Sequence, residues 1–317
     1  LTASHNPAKW NGFKIKEAFG GSARPALTQQ VEVRVRELIE RSVEPTTVDL
    51  DQAEQKGLVE RFDPLPAYLE RLAQLVDLKK IGAAGFSVVV DPIHGAGSGV
   101  LAGLLRDSGV LVEEIRGEQD VNFGGVNPEP IGPNLAPLMK AVQEKGAQVG
   151  LALDGDADRI GAVDETGQFF DSHRIFACIL RHLVEHRGEP GAVVQTVSST
   201  VMVRRLAEHY GRERIETAIG FKWIAEFMLN QEVLMGGEES GGLGYSFHLP
   251  ERDGVLSGLL LLEACAQEGV PPLALLNKVF DLVGTWHYDR VDVALPSARV
   301  DEIKSAAQSA SPEEFLG

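Results

Sequence analysis

Three acidic residues at alternating positions, Asp154, Asp156 and Asp158 in the stretch DGDADR, are the densest chemical signal in the chain. They follow LAL, a run without a polar residue that reads as the end of a buried strand, so one loop receives all three carboxylates. Carboxylates this close repel one another unless a hard cation sits between them, and oxygen donors at this spacing suit Mg²⁺. Arg159 follows directly, and a second cation beside a metal suits a phosphoryl group. An EF-hand is excluded although Glu165 falls at the twelfth loop position. Arg159 stands where that loop needs glycine, and the flanks LAL and IGAV read as strands. A solvated acidic turn is the bland alternative.

A second stretch, TASHNP from Thr2 to Pro7, puts Ser4 and His5 among small and polar residues ahead of a proline, the composition of an exposed turn. Lys14, ten residues after Ser4, is within reach to return as a base or a charge neutraliser. Taken alone, Ser4 is equally a hydrogen-bonding turn serine. No Gly-x-Ser-x-Gly elbow supports a hydrolase triad.

The third stretch runs Gly236, Gly237, Glu238, Glu239, Ser240, Gly241, Gly242. Two acids, a hydroxyl and four glycines let backbone and carboxylate approach a polyhydroxylated ligand closely. Upstream, Gly220, Phe221, Lys222 and Trp223 open a helix with a cation and an aromatic near its start. A glycine-rich hairpin and an amphipathic helix account for the same residues without a ligand.

Two weaker patterns compete. His182, Glu185 and His186 spell an inverted zinc-peptidase motif, but they fall in the last turn before Gly188 and Pro190, where imidazoles commonly end helices. HGAGSGV resembles a dinucleotide fingerprint, with Val100 where the third glycine belongs. A zinc peptidase and a dinucleotide-binding α/β protein are therefore the competing classes.

The elements that must position these loops alternate. FSVVVD, VLVEEI, AQVGLAL, GAVVQTV and RIETAI read as strands, with helix-like stretches VLAGLLRDSG, NLAPLMKAVQEKG, SSTVMVRRLAEHYG, GFKWIAEFML and VLSGLLLLEACAQEG between or after them. Leu65, Tyr68, Leu69, Leu72, Leu75 and Val76 mark a further amphipathic helix. This pattern predicts consecutive α/β domains with buried, mostly parallel sheets. The 317 residues carry 30 Lys+Arg against 46 Asp+Glu, a formal charge of −16, which argues against a nucleic-acid partner. The apolar run Leu259 to Leu262 is cut by Glu263, short of a membrane span of about 20 residues. Cys178 and Cys265 sit in apolar helical runs and read as core residues of a protein from a reducing, cytoplasmic compartment.

In order and separation, TASHNP, DGDADR and GEESGG resemble the phosphoserine, magnesium and sugar-specificity loops of the α-D-phosphohexomutase family, which includes phosphoglucomutases, phosphomannomutases and phosphoglucosamine mutases. The resemblance implies that Ser4 carries the phosphoryl group, with His5 and Asn6 shaping its loop and Lys14 as general acid or base. It implies one Mg²⁺ per site, held by Asp154, Asp156, Asp158 and a phosphoserine oxygen, with Arg159 orienting the serine. Glu238 and Ser240 would take two sugar hydroxyls, and Lys222, flanked by Gly220 and Trp223, would lie beside the sugar or its phosphate. The implied reaction interconverts hexose 1- and 6-phosphates through a sugar bisphosphate, on glucose or mannose phosphates first, with glucosamine or pentose phosphates as the alternative. A phosphosugar is the implied partner, and a monomer or homodimer the implied assembly.

The expected architecture is a set of consecutive α/β domains with mixed, mostly parallel sheets around a central cleft, plus the start of a truncated α+β domain. The expected divisions are 1–78, 79–171, 172–284 and 285–317. Because the chain opens at Leu1 directly in TASHNP and lacks the family's RxSGTEP-type loop, the expectation is a fragment, inactive or nearly so alone.

Overall fold

A computed structural model of the chain describes residues 1–288 and 296–309. Of the truncated domain expected over 285–317, residues 289–295 and 310–317 lie outside the described residues. Residues Leu1–Thr285 form one compact unit. The second unit, Trp286–Gly317, contributes a helix over Val300–Ser309, preceded by a 3₁₀ turn at Ser297–Arg299.

Within the first unit, the serine turn at the start of the chain leads into α1 (Pro25–Glu40), followed by α2 (Leu50–Gln55), α3 (Leu65–Leu75) and α4 (Leu78–Ala83). α1 was not picked out from the sequence, and no residue of this helix is buried.

The first sheet is built from β1 (Ser87–Asp91), β2 (Leu111–Glu114), β3 (Val149–Leu153), β4 (Ile160–Val163) and β5 (Phe169–Phe170), with α5 (Val100–Asp107) and α6 (Ala136–Lys145) as crossovers. Its order is β2-β1-β3-β4-β5. β1 runs parallel to both β2 and β3, whereas β4 and β5 add on antiparallel. Every residue of β3 and β4 is buried, which is why these strands read as continuous apolar runs. At Gly150 an added Cβ would meet Val142 at 2.8 Å and Val163 at 3.0 Å, so α6 packs directly on the backbone of β3.

The second sheet follows α7 (Ser172–Glu185) and comprises β6 (Ala192–Thr196), β7 (Arg214–Thr217), β8 (Val233–Gly237) and β9 (Leu243–Tyr245), with α8 (Val201–His209) and α9 (Phe221–Asn230) as crossovers. Its order is β7-β6-β8-β9, parallel except for β9. Two helices finish the unit, α10 (Gly254–Glu268) and α11 (Pro272–Val283). Buried from Gly254 through Cys265, α10 packs on β3 and β4 of one sheet and on β9 of the other. A helix apolar all round is required where both sides face protein. Among the described residues no single helix is long and apolar enough to cross a membrane; α10 and α11 meet the composition test only as a pair bent by 80°. Cys178 and Cys265 are buried and unbridged, as core residues should be.

In each sheet the parallel strands deliver their following loops to a shared edge. HGAGSG after β1 therefore lies beside DGDADR after β3, with Ala96 N–H donating to Gly155 O at 3.0 Å. The turn opening α9 and the glycine-rich loop after β8 share the corresponding edge of the second sheet.

Candidate active site

Ser4 sits in the left-handed region at φ 53°, a conformation rare for a side-chain-bearing residue outside tight functional turns. The turn is held from both sides: Ser4 N–H donates to Thr2 Oγ1 at 2.8 Å, and Thr2 N–H donates to Gly12 O at 3.0 Å. This geometry sends Ser4 Oγ to Asp154 Oδ2 at 3.2 Å and Thr2 Oγ1 to Asp156 Oδ2 at 3.0 Å. His5 Nδ1 lies 3.5 Å from Ser4 Oγ, and Asn6 closes the turn by donating to Ala3 O at 2.9 Å. Burial, followed by the nearby Arg159 charge, lowers the pKa of His5.

The acidic loop makes a sharp turn with Ala157 at φ 62°. Carboxylate oxygens of Asp154, Asp156 and Asp158 come within 4.8 Å of one another. Burial, then the charges of Asp158 and Asp156, push Asp154 well above the usual carboxylate range. Burial acts the same way on Asp156, but hydrogen bonds from Lys14 and Thr2 outweigh it and bring that group down. Lys14 Nζ donates to Asp156 Oδ2 at 2.8 Å and to Asp158 Oδ2 at 3.4 Å. Arg159 donates its backbone N–H to Asp154 Oδ1 at 3.1 Å, and its Nε lies 3.8 Å from both Asp154 and Asp158.

Two oxygens, Asp156 Oδ1 and Asp158 Oδ1, are buried and accept no hydrogen bond. Buried acceptors without donors are costly, and a hard divalent cation bound by carboxylate oxygens removes that cost. The donor set fits Mg²⁺. The competing cation motif does not assemble as its spelling suggests, because His182 Nε2 turns to Glu263 at 3.3 Å. Glu185, His186 and Glu268 gather instead, but Arg181 pairs with both carboxylates, Lys278 adds to Glu268, and Tyr210 donates to Glu185. Those acids are already neutralised.

The glycine-rich loop closes against the acidic loop through Ile160 N–H, which donates to Gly241 O at 3.1 Å. Gly241 adopts φ +90°, and a Cβ there would stand 2.4 Å from Ile160 O, so both conformation and contact require glycine. Glu238 is buried, which raises its pKa despite the opposing Arg252 charge. Glu239 is turned away, accepting from Thr196 Oγ1 at 3.1 Å and Ser198 Oγ at 2.5 Å, while Ser240 remains half-buried at the loop tip. Gly220, at φ 123°, starts α9. Phe221 packs under Arg252 at 5.8 Å, and exposed Lys222 lies over the Trp223 ring at 5.1 Å. Of this stretch, Phe221 is the residue that reaches the acidic loop's surroundings, whereas Lys222 and Trp223 pair with each other.

Arg252 was missed by sequence reading. Its Nη2 donates to Asp158 Oδ2 at 2.7 Å and its Nη1 to Glu238 Oε2 at 3.2 Å, joining two loops eighty residues apart in sequence order (238 − 158). The signal was thin: Glu251, Arg252 and Asp253 form a charged run just before an apolar helix, in which Asp253 serves as N-cap. A cavity of about 450 Å³ borders the acidic loop, lined by Tyr68, Gly97, Asp156, Asp158 and Arg252 among others.

A serine hydroxyl aimed at three clustered carboxylates, with a glycine-rich acidic loop closing beside them, defines the class as an α/β protein whose strand-end loops gather one candidate cation site. Family models for the α/β/α domains I, II and III of phosphoglucomutase/phosphomannomutase match residues 1–42, 66–167 and 171–283, and the chain belongs to that family. A phosphoglucomutase/phosphomannomutase of Thermococcus kodakarensis is 32% identical over 271 residues, covering 85% of this chain and 57% of that protein. A phosphoglucosamine mutase of Kocuria rhizophila is 32% identical over 283 residues, covering 86% and 58%. A crystal structure from Thermus thermophilus, provisionally described as a phosphomannomutase, superposes with a TM-score of 0.84 at 37% identity, covering 94% of this chain and 66% of that one. The chain thus spans less than two thirds of these relatives. An N-acetylphosphoglucosamine mutase of Aspergillus fumigatus, solved with GlcNAc-6P and magnesium, shares the fold at 19% identity and a TM-score of 0.57.

Proposed function

We propose that this chain carries the phosphoryl-transfer and sugar-recognition parts of a phosphohexomutase. The observation that carries the reading is the hydrogen bond from Ser4 Oγ to Asp154, which brings a nucleophilic hydroxyl to the cation site. Asp154, Asp156 and Asp158 would hold Mg²⁺, and a divalent ion there offsets charge on a transferring phosphoryl group.

The chain's own groups do the rest. Ser4 Oγ is the phosphoryl carrier, donating to a hydroxyl of a hexose monophosphate and later recovering the other phosphoryl group from the resulting bisphosphate. His5, beside Ser4 Oγ, is placed to hold the seryl proton. Lys14 and Arg159 supply fixed positive charge on the acidic side, so Lys14 acts as a donor there. Glu238 and Ser240 take two adjacent sugar hydroxyls, a pairing that tolerates either orientation of the intermediate. Lys222, at the start of α9, is assigned beside the sugar or its phosphate. We also propose the divisions 1–78, 79–171, 172–284 and 285–317 for the domains.

Glucose and mannose phosphates are the first substrates to assign, supported by GEESGG and GFKW. Glucosamine phosphates are the second, supported by the Kocuria relative and by GlcNAc-6P in the Aspergillus neighbour. The test is intact-mass analysis after incubation with glucose 1,6-bisphosphate and Mg²⁺. One phosphoryl group is expected on the wild-type chain and none on Ser4→Ala; an equally phosphorylated Ser4→Ala chain sinks the reading.

A further inference from the structure

Arg252 lies between β9 and α10, outside all three motif loops, and its side chain is only 14% exposed. Its two terminal nitrogens each take one oxygen of a different carboxylate, Asp158 Oδ2 and Glu238 Oε2. What remains is the informative part. Asp158 Oδ1 is buried without a hydrogen bond, and the guanidinium engages Glu238 through Oε2, leaving Oε1 outside its grip. The chain makes room for this arginine, since a Cβ at Gly242 would stand 2.2 Å from Arg252 Cδ. The last glycine of GEESGG is thus explained by the passage of the Arg252 stem. Glu251 backs the arrangement from the other side: its Oε1 lies 3.8 Å from Arg252 Nε, and its Oε2 is held by Lys16 and by Ser22 Oγ at 2.5 Å.

We propose that Arg252 is a positioning residue that sets two sites at once, turning one oxygen of Asp158 toward the cation and one oxygen of Glu238 toward the sugar, and so couples occupation of the two. A planar guanidinium holds its two carboxylates in directions fixed by the fork, whereas the three donors of an ammonium rotate and fix neither. Groups that orient a metal ligand from behind typically control affinity by about 10–100-fold. The sugar half rests on the phosphohexomutase reading above; the metal half does not.

The test uses the full chain, with Mn²⁺ and glucose 1-phosphate as separate probes. Arg252→Met is expected to weaken Mn²⁺ binding, measured by electron paramagnetic resonance without sugar, by about 10-fold. It is expected to weaken metal-free glucose 1-phosphate binding in calorimetry by a similar factor. Arg252→Lys, which keeps the charge but lacks the planar fork, should fall between wild type and Arg252→Met, with circular dichroism reporting retained fold. A metal-free cycle isolates the coupling: Asp158→Asn should change glucose 1-phosphate affinity in the wild-type background and leave it unchanged in the Arg252→Met background. Wild-type Mn²⁺ affinity in folded Arg252→Met and Arg252→Lys overturns the proposal, as does an Asp158→Asn effect of equal size in both backgrounds. If the wild-type chain takes Mn²⁺ but no glucose 1-phosphate, the phosphohexomutase reading fails, and the Mn²⁺ arm alone decides whether Arg252 positions Asp158.

Discussion

Ser4 Oγ donates to Asp154 Oδ2 at 3.2 Å across 150 residues of sequence, and Gly155 is the reason the two can meet. A Cβ at Gly155 would stand 2.5 Å from Ser4 O. The backbone of the acidic loop must therefore pass directly beneath the serine turn.

Gly155→Ala is expected to displace that turn without unfolding the sheets, because the clash is with a loop carbonyl. Phosphoryl transfer to Ser4 should drop by at least about 10-fold, the scale of one misplaced reacting group. Mn²⁺ affinity should change far less. Mass analysis alongside a Mn²⁺ titration checks both, and a Mn²⁺ loss as large as the transfer loss contradicts this account.

Asp154→Asn removes the most buried of the three acids. Its carboxyl is pushed up by burial and by two neighbouring charges, so the metal-free fold gains when that charge is deleted. We expect a higher melting temperature in chelator, together with a Mn²⁺ affinity at least about 100-fold weaker, beyond the range of an outer-shell change. Thermal unfolding with and without Mn²⁺ should show the two effects with opposite signs.

Acid should weaken the junction of α7, α10 and the end of α3. Burial opposes ionisation of Glu263, but hydrogen bonds from His182 and Arg187 prevail and draw its pKa down to about 2. Arg187 also donates to Leu75 O at 2.9 Å. A folded pKa below the unfolded value means the stabilisation is full above about pH 5 and is lost as pH falls toward 2. From an unfolded value near 4.5, the pair contributes about 3 kcal/mol at neutral pH. Glu263→Gln should cost about that much at pH 7 in urea unfolding and little at pH 2; a pH-independent difference would rule out the linkage.

Gly241→Ala should strain φ +90° and press on Ile160 O. A loss of about 1–3 kcal/mol is expected from the backbone conformation alone. Hexose phosphate affinity should fall with it, since the bond from Ile160 N–H to Gly241 O ties the glycine-rich loop to β4. Calorimetry on the folded variant distinguishes a loosened loop from a bystander, which would keep wild-type affinity.

Much was readable in residue order. Apolar runs such as SVVVD and VGLAL announce strands covered on both faces, DGDADR announces a carboxylate cluster at a strand end, and glycines at 236, 237, 241 and 242 announce a close turn. These are short-range properties, set by which side chains neighbours along the chain can bury or bring together. α1 was passed over, although Leu27, Val31 and Val35 recur four residues apart as on one face of a helix.

Other features depend on chain segments far apart. The pairing of Lys14 with Asp156, the seating of Ser4 on Asp154 and the grip of Arg252 on Asp158 join residues 94 to 150 positions apart, and only the last of these draws on a loop that leads into α10. Local spacing names the donors and acceptors, but it cannot say which of many arginines faces which carboxylate. That choice is made by strand order and helix packing, which bring residues a hundred positions apart within hydrogen-bond reach.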